Sequence, residues 1–144
     1  MSKKATVVLL VFFIIISLSL MGCISLQERL GLYSNHDPQF TIKKVVVAKD
    51  VQNREPVGVS DTFSSTIGKV YCHILAMDIK KDSEIVVTWY YAEKKIHTYK
   101  LPIKKGYSWR TFAYKNVSGK KGNWRVVIMD PKRHIYKSAP FTVK

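Results

Sequence analysis

Arg54, Arg110 and Arg125 have the clearest chemical potential in the chain because of what stands beside them. Arg54 precedes Glu55, while Arg110 and Arg125 each follow a tryptophan, Trp109 and Trp124. A guanidinium presents a planar fork of donors that fits a carboxylate or a phosphate two bonds at a time. On a strand, adjacent residues face opposite ways, so each of the latter two arginines points away from its tryptophan. Were their strands neighbours, Arg110 and Arg125 would form a cationic patch on one sheet, suited to an anion. Lys115 belongs to the same group of candidate binding residues. The structural alternative pairs these cations with Glu55, Glu84 or Glu93 and lays their stems over apolar surface; it is the favoured assignment.

Trp89, Trp109 and Trp124 have apolar neighbours two positions away, and Tyr90 follows the first of them. Such aromatics can line a glycan or lipid site, but the alternation assigns the tryptophans to a core, where each buries a large area. Cys72 is followed by His73, yet neighbours on a strand diverge and cannot act as a nucleophile–base pair. A buried thiol behaving as a small hydrophobe is expected instead. His36, His97 and His134 are scattered, and no His/Cys/Asp/Glu spacing fits a metal site. There is no nucleophile-elbow motif and no phosphate-cradling glycine loop. No catalytic residue, metal or cofactor is therefore assigned, and a non-enzymatic protein is expected. The alternative is an envelope hydrolase with a site built around Glu55 and Arg54.

The elements that must position these residues read as strands. Ile85–Ile128 contains all three tryptophans and is predicted to form three antiparallel strands in succession, with His97–Ile103 as a further strand. Turn signals fall at Ala92-Glu93-Lys94-Lys95, Lys104-Lys105-Gly106 and Ser118–Asn123. Upstream, Phe40–Val51 alternates, with Thr41, Val45, Val47 and Val51 on one face and Ile42 and Val46 on the other. Asn53–Gly58 is a break, and Pro56 excludes a central strand position there. Lys69–Ile79 sets Val70, Cys72, Ile74 and Ala76 against Tyr71, His73, Leu75 and Met77, and Ile135–Val143 closes the chain. The expected fold is all-β: an antiparallel β-sandwich of about seven strands, immunoglobulin-like, over residues 40–144.

Residues 1–22 read as an export signal, with Lys3 and Lys4 before the apolar run Ala5–Leu20. The run closes as Leu20-Met21-Gly22-Cys23, which resembles the lipobox of bacterial lipoproteins. That resemblance implies a diacylglycerol on the Cys23 thiol, cleavage before it and acylation of the new amino terminus. Several acyl chains make a stable anchor. The apolar run is shorter than the ~20 residues a spanning helix needs, which favours the lipoprotein over a plain transmembrane anchor. Residues 23–39 comprise the lipidated Cys23 and a tether, whose Gly31, Asn35, Asp37 and Pro38 prevent a long helix.

The chain is strongly basic, with 24 Lys+Arg against 10 Asp+Glu and a formal net charge of +14. Loss of the signal removes only Lys3 and Lys4. Such a balance attracts anionic partners: an envelope polymer, a lipid headgroup or an acidic partner protein, with nucleic acid not expected at an exported location. The pairs Lys43-Lys44, Lys80-Lys81, Lys94-Lys95, Lys104-Lys105 and Lys120-Lys121 sit largely at strand ends and turns, where they discourage edge pairing or adhere to an anionic surface. With Cys23 committed to lipid, Cys72 has no internal partner and no disulfide is expected.

At Arg54-Glu55-Pro56-Val57, Lys69-Val70-Tyr71, Trp89-Tyr90-Tyr91, Trp109-Arg110-Thr111, Lys115 and Gly122-Asn123-Trp124-Arg125-Val126, the chain resembles family 2914 of the bacterial domains of unknown function. The similarity covers about Phe40–Lys144. Val87 stands where the family usually carries a His, two residues before the first tryptophan. The resemblance implies an exported or membrane-attached domain and brings no activity with it. The expected protein is a membrane-anchored lipoprotein of the bacterial cell envelope, on the periplasmic face or the cell surface, whose basic β-sandwich is a binding or interaction module. A structural subunit of an envelope complex is a further alternative.

Overall fold

The computed structural model describes residues 38–144. The signal segment, Cys23, His36 and the tether as far as residue 37 lie outside the described residues. Nine strands form among the described residues: β1 (Thr41–Gln52), β2 (Glu55–Val59), β3 (Thr62–Phe63), β4 (Lys69–Ile79), β5 (Ser83–Tyr91), β6 (Lys94–Ile103), β7 (Gly106–Asn116), β8 (Gly122–Met129) and β9 (Ile135–Val143). They make two sheets, one of four strands ordered β2-β1-β4-β7 and one of five ordered β3-β9-β8-β5-β6. No helix among the described residues is long and apolar enough to cross a membrane.

The two sheets enclose one apolar layer. Val70, Cys72, Ile74 and Ala76 line it from β4, and Ile85, Val87 and Trp89 from β5, all of them 0% exposed. Trp124, Val126 and Ile128 of β8 complete the opposite wall with Phe141 and Val143 of β9. The alternation of β-branched and aromatic residues along each strand produces this, because period-two spacing puts one face of every strand inward.

Four sequence expectations need correction. The two strands beyond the expected seven are short: β2 and the two-residue β3. Pro56 is indeed excluded from the interior, but β2 forms as an edge strand, with Pro56 opposite Val51. The sandwich is not wholly antiparallel, since β3 pairs with β9 in parallel. In β1 a register shift between Ile42 and Lys44 inserts one residue. Ile42 therefore lies opposite Ala76 on the same inner face as Val45 and Val47, opposite Ile74 and Cys72. A bulge reverses the side-chain phase downstream of it, which strict alternation does not anticipate.

The tryptophan strands are also not three neighbours. β5 and β8 pair directly, whereas β7 crosses to the other sheet and pairs with β4. The connection of two residues, Lys104 and Lys105, between β6 and β7 makes that crossing.

Candidate functional site

Because β7 and β8 belong to different sheets, Arg110 and Arg125 do not share a patch. Each is held in an ion pair. Arg110 Nε lies 2.7 Å from Glu55 Oε1, and Arg125 Nη2 lies 2.6 Å from Glu93 Oε2. Glu84 pairs at 3.7 Å with Lys100 instead of with an arginine.

Glu55 reaches Arg110 because the β1–β2 hairpin turns back over the outer face of the four-stranded sheet. β1 pairs with β4 only as far as Ala48 and continues with β2 alone to Gln52. The two-residue turn has Asn53 at φ 50° and Arg54 at φ 65°, both left-handed, as the tight turn matching strand twist requires. The Arg54 carbonyl then lies 2.8 Å from His73 Nε2. A carbonyl only accepts, so Nε2 carries a proton and donates it to Arg54. The His73 Nδ1 is buried without a protein partner, and His73 is 2% exposed. Arg54 thus serves the fold through its backbone.

On the same outer face the register aligns Val59, Ala48, Tyr71 and Tyr114 in one row across all four strands, with Val46, His73 and Phe112 in the next. Tyr71 packs against Tyr114 at 5.5 Å and Phe112 at 6.1 Å between ring centroids. The Lys69 ammonium sits 4.6 Å above the Tyr114 ring. Val59, Phe112 and Tyr114 remain exposed.

Trp89 and Trp124 are core residues, and Trp109 is half-buried against the core. Trp124 stacks on Phe141, and its Nε1 donates to the Lys120 carbonyl at 3.1 Å; the Trp89 Nε1 is buried without a protein acceptor. Lys115 stands opposite Val70, half-buried on the edge strand. Burial pushes the Cys72 thiol up to about 12, which makes it a packed hydrophobe with no thiolate near neutral pH. No group of three His, Cys, Asp or Glu able to hold a metal occurs among the described residues.

A concave feature among the described residues gathers on the outer face of the five-stranded sheet. A cavity of about 370 Å³ is lined by Val86, Thr88, Tyr90, Lys95, Thr98, Lys100, Met129, Asp130, Pro131 and Arg133. Thr88 is 1% exposed, and its Oγ1 lies 3.2 Å from the Thr98 Oγ1. Tyr90 carries the Arg125 guanidinium 4.5 Å from its ring centroid. Asp130 is already engaged: Oδ1 accepts the His134 backbone N–H, and Oδ2 lies 2.9 Å from His134 Nδ1. Three cationic side chains, Lys95, Lys100 and Arg133, therefore border the cavity against one buried carboxylate that has a partner. A second depression of about 390 Å³ lies beside it, on the other side of Arg125, lined in part by Asp61, Glu93, Asn123 and Trp124.

Of the residues predicted to bind, only Tyr90 lines the first cavity. Thr98 and Lys100 share a face with Thr88 and Val86 by register, so period two was a signal that could have found them. Lys95 reaches that face only through the register shift between Trp89 and Tyr90, which puts Tyr90 opposite Lys95. Arg133 comes from the β8–β9 connection at φ 70°, and no strand pattern reaches it.

The fold and this face define a basic two-sheet β-sandwich with a cation-lined cavity. Residues 82–143 match the family described as Protein of unknown function (DUF2914). The match begins just before β5, so Arg54-Glu55-Pro56-Val57 and Lys69-Val70-Tyr71 lie outside it, while every residue lining the first cavity lies within it. No curated protein matches the chain.

Proposed function

We propose that this chain is a membrane-anchored, non-enzymatic binding module of the bacterial cell envelope, and that its recognition site is the cavity on the outer face of the five-stranded sheet. The ligand group is an anion, phosphate or carboxylate. One observation carries the reading: Lys95, Lys100 and Arg133 surround hydroxyl donors in a cavity whose only carboxylate is bonded to His134. Ammonium and guanidinium groups with hydroxyls make charge-assisted hydrogen bonds to an oxyanion. The lipid anchor on Cys23 follows from the Leu20-Met21-Gly22-Cys23 motif. The hydrolase alternative needs a carboxylate in a cleft, and the exposed, ion-paired Glu55 favours binding over that chemistry.

The test is titration of the full chain, in a membrane mimetic, with inorganic phosphate and separately with acetate, following Thr88 and Thr98 amide resonances. Lys100→Glu/Arg133→Glu should abolish the shifts, and Arg110→Glu should leave them. If neither anion moves those resonances, the cavity is not an anion site. Acylation of Cys23, read by mass spectrometry of the membrane fraction, tests the anchor separately.

A second reading has its own observation. The exposed Val59, Phe112 and Tyr114 around half-buried Tyr71 on the four-stranded sheet suit a structural subunit of an envelope complex. Phe112→Ser/Tyr114→Ser would then release the protein from a complex without altering anion binding.

A further inference from the structure

The strand register brings four features to one end of the sandwich. β1 starts opposite the end of β4, where Thr41 faces Met77, and Ile79 faces Gly106 at the start of β7. In the other sheet Ser83 faces Ile103, and Met129 faces both Val86 and Ile135. The β4–β5 turn, the β6–β7 turn and the β8–β9 connection therefore cluster at the end where the chain enters its first strand. The Lys80 backbone N–H donates to the Gln39 carbonyl at 2.9 Å, tying that entry to the β4–β5 turn.

These connections carry Lys80, Lys81, Lys104, Lys105 and Lys132, all exposed. Asp82 is the exposed acid set among them, Asp130 being buried. Its Oδ2 accepts from Lys104 Nζ and its Oδ1 from the Lys105 backbone N–H, both at 2.9 Å. The same end presents the two most exposed large apolar side chains among the described residues, Tyr107 at 74% and Ile135 at 67%. The opposite end, with the Ala92–Glu93 and Ser118–Lys121 turns and the β1–β2 hairpin, has lysines and the less exposed Val57 at 40% and Val59 at 53%.

We propose that this entry end docks on an anionic phospholipid surface, with Tyr107 and Ile135 entering the headgroup boundary and the lysines engaging lipid phosphates. Lysines near such a surface are attracted electrostatically, and aromatic and aliphatic tips partition into the interface. The inference rests on the lipid anchor at Cys23 proposed above. Fourteen residues separate Cys23 from Pro38, a contour of at most about 50 Å, so the end where the chain enters is the part of the domain closest along the chain to the bilayer. An acidic protein would satisfy the lysines, but it gives no reason for both exposed apolar tips to stand beside the point of tethering.

The test reconstitutes the full, membrane-extracted chain into phosphatidylcholine vesicles with and without phosphatidylglycerol, after mass spectrometry has established acylation of Cys23. Hydroxyl-radical footprinting then reads Tyr107 and Ile135, with Phe112 and Tyr114 as internal controls. The expected result is protection of Tyr107 and Ile135 in the anionic vesicles alone. High salt should abolish it, and protection should weaken by about fivefold for each lysine charge removed in the series Lys81→Gln, Lys105→Gln, Lys132→Gln. Those side chains lie on exposed turns, and the salt titration of the unaltered chain carries the test regardless of the variants. Equal reactivity in both vesicle types overturns the docking surface, as does protection that appears only when a soluble envelope extract is added. Absence of acyl chains overturns the anchor and with it the reason for this orientation.

Discussion

Glu55 and Arg110 meet at 2.7 Å although their strands, β2 and β7, are the two opposite edges of the same sheet. No backbone hydrogen bond joins those edges. The contact exists because the β1–β2 hairpin turns back over the outer face, which also closes His73 beneath it. Both partners are substantially exposed, so the pair contributes no more than ~1 kcal/mol to global stability. Arg110→Ala should accordingly shift urea unfolding little, and less still at high salt. Its effect should appear in amide exchange of the hairpin, where protection is expected to fall. A large global loss would mean that the hairpin is an integral part of the core.

Arg54 offers a cleaner separation of scaffold from site. Its φ of 65° is a conformation that costs an L-residue roughly 1–2 kcal/mol and a glycine nothing comparable. Arg54→Gly should therefore hold the unfolding free energy measured in urea or raise it by up to ~1 kcal/mol, after the entropy of the more flexible unfolded chain is subtracted. Anion binding at the cavity should be unchanged. Lost binding with unchanged stability would make the Arg54 side chain a ligand.

Cys72 gives a pH dependence with a defined sign. Its thiol titrates at about 12 when folded, against 9.0 for the unperturbed group, because burial disfavours the thiolate. Between those values the unfolded chain has lost the proton and the folded chain retains it, so stability falls as pH rises. The slope from this group approaches about 1.4 kcal/mol per pH unit. Burial raises Tyr99 and Tyr136 in the same direction, so the wild-type slope is a sum. Cys72→Ala should remove the thiol's share, seen by comparing urea unfolding of the two proteins between pH 9 and 10. Identical slopes would show the thiol to be more accessible than its packing implies. Near neutral pH, alkylation of Cys72 should proceed only as fast as the domain opens.

Trp89 should be the most sensitive single core position tested by truncation. It is 0% exposed and packs edge-on against Phe141 at 6.2 Å. Trp89→Ala is expected to cost ~3–5 kcal/mol, by lost transfer energy and the cavity left behind. Trp89→Phe should cost much less, since it keeps a ring and removes a buried Nε1 donor that has no protein acceptor. If the phenylalanine variant is as damaging as alanine, a buried water must serve that donor.

Asp130 should matter to the cavity through the loop it holds. Its carboxylate receives two contacts from His134, closing the β8–β9 connection that presents Arg133. Asp130→Ala should weaken anion binding and increase loop exchange, while Asp130→Asn, which keeps an acceptor for the backbone N–H, should retain more of both. Unchanged binding in Asp130→Ala would place Arg133 outside the site.

The sequence by itself determined the class of fold and most of the core. Period-two alternation in Lys69–Ile79 and around each tryptophan is a local property: strand geometry turns every second side chain inward, whichever partner the strand finds. It also carried the structural alternative for the arginines, now seen as pairs with Glu55 and Glu93. What it did not contain was strand order. Whether β7 lies beside β8 or crosses to the other sheet depends on which layers pack best together, a non-local balance that a strand's own residues do not encode. Bulges added a second layer of decision. The shift at Ile42–Lys44 reversed the inward face of β1, and the one at Trp89–Tyr90 brought Lys95 to the cavity. The cation-lined cavity, the aromatic face around Tyr71 and the basic entry end all join residues distant along the chain, and only tertiary structure could bring them together.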